Sequence, residues 1–184
     1  MNIIFLSDID RPSIKAHLRR LSPADRRLRF CSAISDYAIG EYVDHLDLWS
    51  YAAFGAYVDH ELIAFVHLAR GPGSSAELGI SIDTAYRGRG LARQLLKRVH
   101  TFCLSHGVDE IYMACLRENQ KMQHLARTEG LRLKTEDGET TAVASISATP
   151  AQFVLALYQE LISGQVTIID SALRATSNFL GDAA

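Results

Sequence analysis

The stretch from Ala76 to Leu116 restricts the fold more than any other part of the chain. Leu78, Ile80 and Ile82 alternate with Glu77, Gly79, Ser81 and Asp83, the period of a strand with one apolar and one polar face. After the turn Thr84-Ala85-Tyr86-Arg87-Gly88-Arg89-Gly90, the apolar residues Leu91, Leu95, Val99 and Phe102 recur at i, i+4, i+8 and i+11. That spacing predicts a helix buried along one stripe, with Gly107 as its stop. The continuously apolar run Ile111 to Leu116 then predicts a second strand, covered on both sides. Strand, helix and strand in this order imply a right-handed crossover between parallel neighbours.

The turn carries the chemistry. Gly88 and Gly90 let the backbone turn tightly just before a helix, where unpaired N–H groups and the macrodipole favour a phosphate. A dinucleotide fingerprint would need a third glycine where Arg93 stands, and a triphosphate loop would need Gly-Lys-Ser/Thr, which does not occur. Taken alone, Arg-x-x-Gly-x-Ala is a weak pattern, equally compatible with an ordinary strand-to-helix turn.

The remaining sequence supplies a frame. Pro12 opens a helix carrying Ile14, Leu18 and Leu21; Ser22 and Pro23 start a second; Ser35 caps a third, from Asp36 to His45, with Tyr37, Ile39, Tyr42, Val43 and Leu46 as its buried face. From Trp49 the texture changes to period 2, which predicts a hairpin turning at Asp59-His60-Glu61. Asn119 starts a helix that stops at Gly130, and two strands, near 131–135 and 140–146, flank Asp137-Gly138. Thr149-Pro150-Ala151-Gln152 reads as a capping box opening a helix, with a second helix over roughly 166–180.

With these elements in register, residues 50 to 147 resemble the GNAT superfamily of acyl-CoA-dependent N-acetyltransferases. Arg87, Gly90 and Ala92 match the family's Arg/Gln-x-x-Gly-x-Gly/Ala, AELGISID looks like its fourth strand, and Asn119, Leu125 and Gly130-Leu131 match its next strand and helix. More loosely, RLSPADRRLRF is similar to the first helices of bacterial protein-lysine acetyltransferases of this superfamily. The resemblance implies an α/β fold of α+β type, with a mixed, mostly antiparallel central sheet flanked by helices. Residues 1–148 would form the acetyltransferase domain and 149–184 a C-terminal helical extension.

It also implies a site. The loop Arg87, Gly88, Arg89, Gly90, Leu91 and Ala92 would hold the pyrophosphate of acetyl-CoA, the cosubstrate. The main chain of Ile80, Ser81 and Ile82 would pair with the pantetheine arm and polarise the thioester. Asn119 would contact that arm or order the splayed strands. Arg93 and Lys97 read first as a solvated helix face and second as phosphate contacts. Glu77 is the expected general base, helped by burial, for an amine that must lose a proton before it attacks. The chain departs from the family where many members carry a Tyr that protonates the leaving thiolate: Ala126 stands there, leaving water, Tyr112, Tyr86 or Ser81 as substitutes.

The implied reaction is direct acetyl transfer in a ternary complex to a small-molecule amine or a protein lysine. A non-catalytic acyl-CoA-binding or regulatory module is the alternative. With 19 Lys+Arg against 21 Asp+Glu there is no overall charge footprint for nucleic acid. No apolar run approaches the ~20 residues that span a bilayer, so no membrane association is expected. Three widely spaced cysteines point to a reducing, cytoplasmic setting and form no metal set, Cys103-x-x-His106 lacking a second pair. The basic run Arg19, Arg20, Arg26, Arg27 and Arg29 reads as a solvated face, or as part of an acceptor-side wall attracting an acidic acceptor or the coenzyme. The apolar C-terminal helices would pack on their own domain or build a homodimer interface.

Overall fold

The computed structural model describes residues 2–48, 52–136, 139–147 and 149–163. Three helices follow a short strand β1 (Ile4–Phe5): α1 (Arg11–Arg20), α2 (Pro23–Phe30) and α3 (Asp36–Asp44). Ser22 and Ser35 cap α2 and α3, each side chain accepting from the amide three residues on. Then come β2 (Ala53–Val58), β3 (Glu61–Arg70), β4 (Ser75–Ile82), α4 (Leu91–His106), β5 (Glu110–Leu116), α5 (Gln120–Thr128), β6 (Arg132–Glu136) and β7 (Glu139–Ser145). Residues 150–163 form α6, opened by the expected capping box: Gln152 N–H donates to Thr149 Oγ1, and Thr149 N–H to Gln152 Oε1. The expected helix over 166–180 and the turn Asp137-Gly138 lie outside the described residues, as does the Trp49 start of the hairpin.

The seven strands form one sheet in the order β1-β2-β3-β4-β5-β7-β6. All pairs are antiparallel except β4 with β5, which α4 connects. This is the mixed sheet expected from the sequence. One face is covered by α4, whose Leu91, Leu95 and Val99 pack with Leu78 and Ile80 of β4. The other face is covered by α1 and α3, with Ile14, Leu18, Ile39 and Val43 against Leu62 and Phe65 of β3. Each such side chain taken out of water contributes roughly 1.5–3 kcal/mol, which fixes the register of β4 between the two layers.

Two readings need correction, and one short element went unread. Tyr37 is 77% exposed, because α3 buries the narrower stripe Ile39, Gly40 and Val43. β1 is a strand that period alone could not show, being two residues paired to Gly55 and Phe54. β5 is not covered on both sides: its burial alternates, leaving Tyr112 half-buried and Ala114 exposed. The cause is a gap in the sheet. β4 and β5 pair only at Ser75–Glu110, Ala76–Ile111 and Glu77–Tyr112, although both strands continue for several residues.

Candidate active site

Beyond Glu77 and Tyr112, the edges of β4 and β5 that face one another are open, and two cavities meet there. The first, of about 310 Å³, is lined from α2, α3, β3, β4, β5 and α5. The second, of about 410 Å³, runs from Ile80 and Ser81 to the glycine turn and α5. They share Leu28, Arg29, Ile80, Asn119 and Met122.

The strand edge has a direction. Asp83 N–H donates to the Ile63 carbonyl, and strand alternation then turns the main chain of Ser81 toward β3 and that of Ile80 and Ile82 toward the opening. Of the three residues expected to pair with a pantetheine arm, Ile80 and Ile82 therefore face the gap and Ser81 does not. The Ser81 hydroxyl is engaged elsewhere. It lies 2.8 Å from Nε2 of the wholly buried His17, whose Nδ1 is 3.1 Å from the Leu62 carbonyl and 3.0 Å from Asp83 Oδ1. Both of those are acceptors, so Nδ1 carries a proton, and Nε2 shares a hydrogen bond with Ser81 Oγ. Arg20 Nη2 joins them at 2.8 Å from Asp83 Oδ2. Burial alone would raise the Asp83 carboxyl, but the hydrogen bonds and charges of His17 and Arg20 outweigh it and hold it below the usual carboxylate range. This network fastens α1 to the end of β4.

At the far end, Gly88 and Gly90 have φ of +73° and +77°, and a Cβ on either would meet no protein atom within 4 Å. The first-turn amides of α4 have no intrahelical acceptors, and Gly90 offers no side-chain cap, so the turn presents N–H groups to the second cavity. The Arg87 amide is not among them, since it donates to Thr84 O. Instead the Arg87 side chain braces the turn, with Nε on the Ile82 carbonyl at 2.9 Å and Nη2 on Asp25 at 2.9 Å. Arg89 stacks over the Tyr86 ring and does not line the cavity. Lys97 is exposed and faces α6, as a solvated position should. Arg93 does reach the cavity, together with Lys121 and His124. These last two went unnoticed in the sequence, although their spacing after Asn119 puts them on one side of α5. Asn119 itself is the N-cap of α5, its Oδ1 accepting from the Met122 amide at 3.2 Å, and it borders both cavities. A cradle of free amides, two glycines without Cβ and three cationic or basic side chains fits the phosphates of a coenzyme A.

Glu77 lines the first cavity at the last paired position of β4, but its side chain is exposed, so the burial expected to assist it is absent. The same wall holds a chain of groups the sequence did not reveal. Arg29 Nη2 donates to Tyr42 Oη at 3.0 Å, and that oxygen is 3.5 Å from His67 Nδ1. His67 is 7% exposed and pairs across strands with Gly79. Burial first, and the Arg29 charge second, lower its pKa to about 4, against a smaller opposite pull from the Asp47 main chain and charge. It is a neutral imidazole at physiological pH. Cys103 and Cys115 are buried, and burial pushes Cys103 up to about 12 and raises Cys115 as well, so neither offers a thiolate. Among the described residues no cluster of metal-ligating side chains occurs, and no helix is long and apolar enough to cross a membrane.

Open strand edges, a glycine turn at a helix start and a cavity on either side of the gap make this the candidate site for acyl transfer. The family model for the acetyltransferase (GNAT) family matches residues 20–130, and the chain belongs to that family. Its fold is shared with the GNAT domain of S. lividans PAT (21% identity, 78% of this chain and 89% of that one, TM-score 0.67). An acetyltransferase of the GNAT family from Streptococcus pneumoniae is similar too (14% identity, 79% and 99%, TM-score 0.66). So is the ribosomal L7/L12 alpha-N-protein acetyltransferase RimL, in complex with coenzyme A (16% identity, 80% and 94%, TM-score 0.64). No curated protein matches the chain in sequence.

Proposed function

We propose that the chain transfers acetyl from acetyl-CoA to a primary amine by direct attack in a ternary complex. The observation that carries this reading is the junction at Ile80: an open strand edge where the glycine-turn cavity meets the first cavity, which bears Glu77. The diphosphate would lie on the amides from Gly88 to Ala92, the pantetheine arm along Ile80 and Ile82, and the thioester carbonyl against a main-chain N–H that stabilises developing charge. The amine enters from the first cavity and loses its proton to Glu77, directly or through water; the N–C bond forms as the C–S bond breaks. Three thiols suit a reducing, cytoplasmic setting.

Coenzyme release from acetyl-CoA in the presence of an amine panel, with the acetylated product weighed by mass spectrometry, tests the activity. Glu77→Gln should lower turnover at least tenfold with coenzyme affinity nearly unchanged, and an unchanged rate removes Glu77 from the mechanism. The second reading, a non-catalytic acyl-CoA-binding module, is favoured by Ala126, which is wholly buried and leaves no hydroxyl at that position. Binding of acetyl-CoA without turnover on any amine would select it.

A further inference from the structure

The charged side chains lining the first cavity are one cation, Arg29, and one carboxylate, Glu77, with His67 held neutral beside them. Arg29 stands apart from Arg20, Arg26 and Arg27 of its basic run. Arg20, Arg26 and Arg27 are engaged by Asp83, Asp36 and Glu118, whereas among the described residues no carboxylate lies within ion-pair distance of Arg29. Its guanidinium is nonetheless built in. It lies on β4 where Gly79 leaves room, since a Cβ at 79 would come within 2.3 Å of Nη2 and 2.4 Å of Cζ. It is flanked by the Phe30 and Tyr42 rings at 4.9 and 5.7 Å, and its Nε is buried without a hydrogen-bond partner. A guanidinium placed this way carries an unmet donor and an uncompensated charge, which an anion from outside would satisfy.

Resting on the acetyltransferase reading above, we infer that the acceptor is an α-amino acid, its carboxylate bound by Arg29 and its amine presented to Glu77. The spacing fits. Gly79 and Glu77 are two residues apart on one face of β4, about 7 Å along the strand. That is close to the reach of an α-amine and α-carboxylate with a hydrogen bond of about 2.9 Å at each end. A lysine ε-amine lies too far from its own carboxylate to use both groups at once. A polyamine would bring several cations to a cavity with one carboxylate and a fixed guanidinium. Leu28, Phe30, Ala69, Ala114 and Met122 add apolar lining, so the side chain received there is apolar. Arg29 also disfavours a protonated amine close by, which assists loss of the proton before attack.

The test uses the full chain with acetyl-CoA and matched acceptors: L-leucine and L-methionine, their carboxamides, isopentylamine, spermidine and an internal-lysine peptide. The free amino acids should exceed their amides and isopentylamine in kcat/KM by at least tenfold. Arg29→Met should raise KM for the amino acids tenfold or more and abolish that preference, with Arg29→Lys intermediate and coenzyme affinity preserved in both. Equal use of amides and acids overturns the inference, as does a uniform fall in kcat across all acceptors in Arg29→Met, which would mark a role at the thioester instead. Calorimetry of L-leucine and leucinamide against the coenzyme A complex separates the two levels. Arg29-dependent binding of leucine without turnover refutes the transferase reading alone; transfer to spermidine or the lysine peptide with no leucine binding refutes the amino-acid inference alone.

Discussion

His67 makes the first cavity a source of pH-dependent stability. Its imidazole is held near pKa 4 in the fold, against an ordinary 6.5, because it is 7% exposed and faces the Arg29 charge. Unfolding returns it to its ordinary value, so between those two limits the unfolded chain binds more protons than the folded one. Stability therefore falls as pH drops through that window, and the full loss is about 3 kcal/mol once pH is below both values. Between about pH 7.5 and about pH 5 the expected loss is about 2 kcal/mol, or about 1 M in a urea midpoint for a domain of this size. Other histidines also titrate, so the measurement is a difference: urea unfolding of the wild type and of His67→Gln at both pH values. Glutamine keeps a polar contact to Tyr42 and has no proton to gain. The variant should lose about 2 kcal/mol less than the wild type over that range, and Arg29→Met should recover part of the effect, burial being the larger cause. Equal losses in wild type and His67→Gln would show that the imidazole is not held neutral and that the cavity wall is wetter than the geometry describes.

Gly90→Val forces a β-branched residue to φ near +77°, at a cost of about 1–2 kcal/mol, while its Cβ would stand in open space where the proposed diphosphate would lie. Calorimetry with coenzyme A should show affinity at least tenfold weaker, and unchanged affinity would displace the diphosphate from this turn. Asp83→Asn removes the charge that His17 and Arg20 share, and should cost about 1–3 kcal/mol near neutral pH. Because the folded pKa of Asp83 is depressed, that stabilisation is present above the ordinary carboxylate range and is lost as pH falls through the folded value. Urea midpoints of wild type and variant should converge in acid, and a constant gap at all pH values would refute an electrostatic origin.

Legibility from sequence followed the range over which each signal acts. The stripe of α4, the caps Ser22 and Ser35 and the box at Thr149 are short-range patterns, and each appears where expected. The glycine turn was legible for the same reason. The first cavity was not, since Arg29, Tyr42, His67, Glu77 and Cys115 come from α2, α3, β3, β4 and β5 and meet only through cross-strand register. His67 looked like one residue of an apolar hairpin until its pairing with Gly79 put it on the wall. Arg29 was indistinguishable within its basic run, because only three-dimensional pairing shows which of those cations found carboxylates. Ala114 likewise read as core, because a splay between β4 and β5 leaves no mark on the composition of either strand.

The proton for the leaving thiolate is the step on which fold and chemistry meet most directly. Ala126 lies on α5 with its methyl wholly buried in the core, so that position supplies no hydroxyl. Of the hydroxyls expected to replace a tyrosine, Ser81 is engaged by the buried His17 Nε2 at 2.8 Å. Tyr112 lies outside both cavity linings and is raised in pKa by burial and the Glu77 charge. Tyr86 borders the second cavity at its glycine-turn end, beneath Arg89, on the diphosphate side of the proposed binding mode. Under the proposed transfer the thiolate would depart into water, which its ordinary pKa of about 8.5 permits without an acid. An enzyme working this way has no essential acid to lose at high pH. Its kcat should rise as the amine and base deprotonate and then stay level to about pH 9.5, instead of tracing the two-sided bell of an acid–base pair. Tyr86→Phe and Tyr112→Phe should keep kcat within about twofold of wild type, whereas a general acid contributes about a hundredfold or more. An alkaline limb that vanishes in either variant would identify that tyrosine as the acid and overturn the assignment to water.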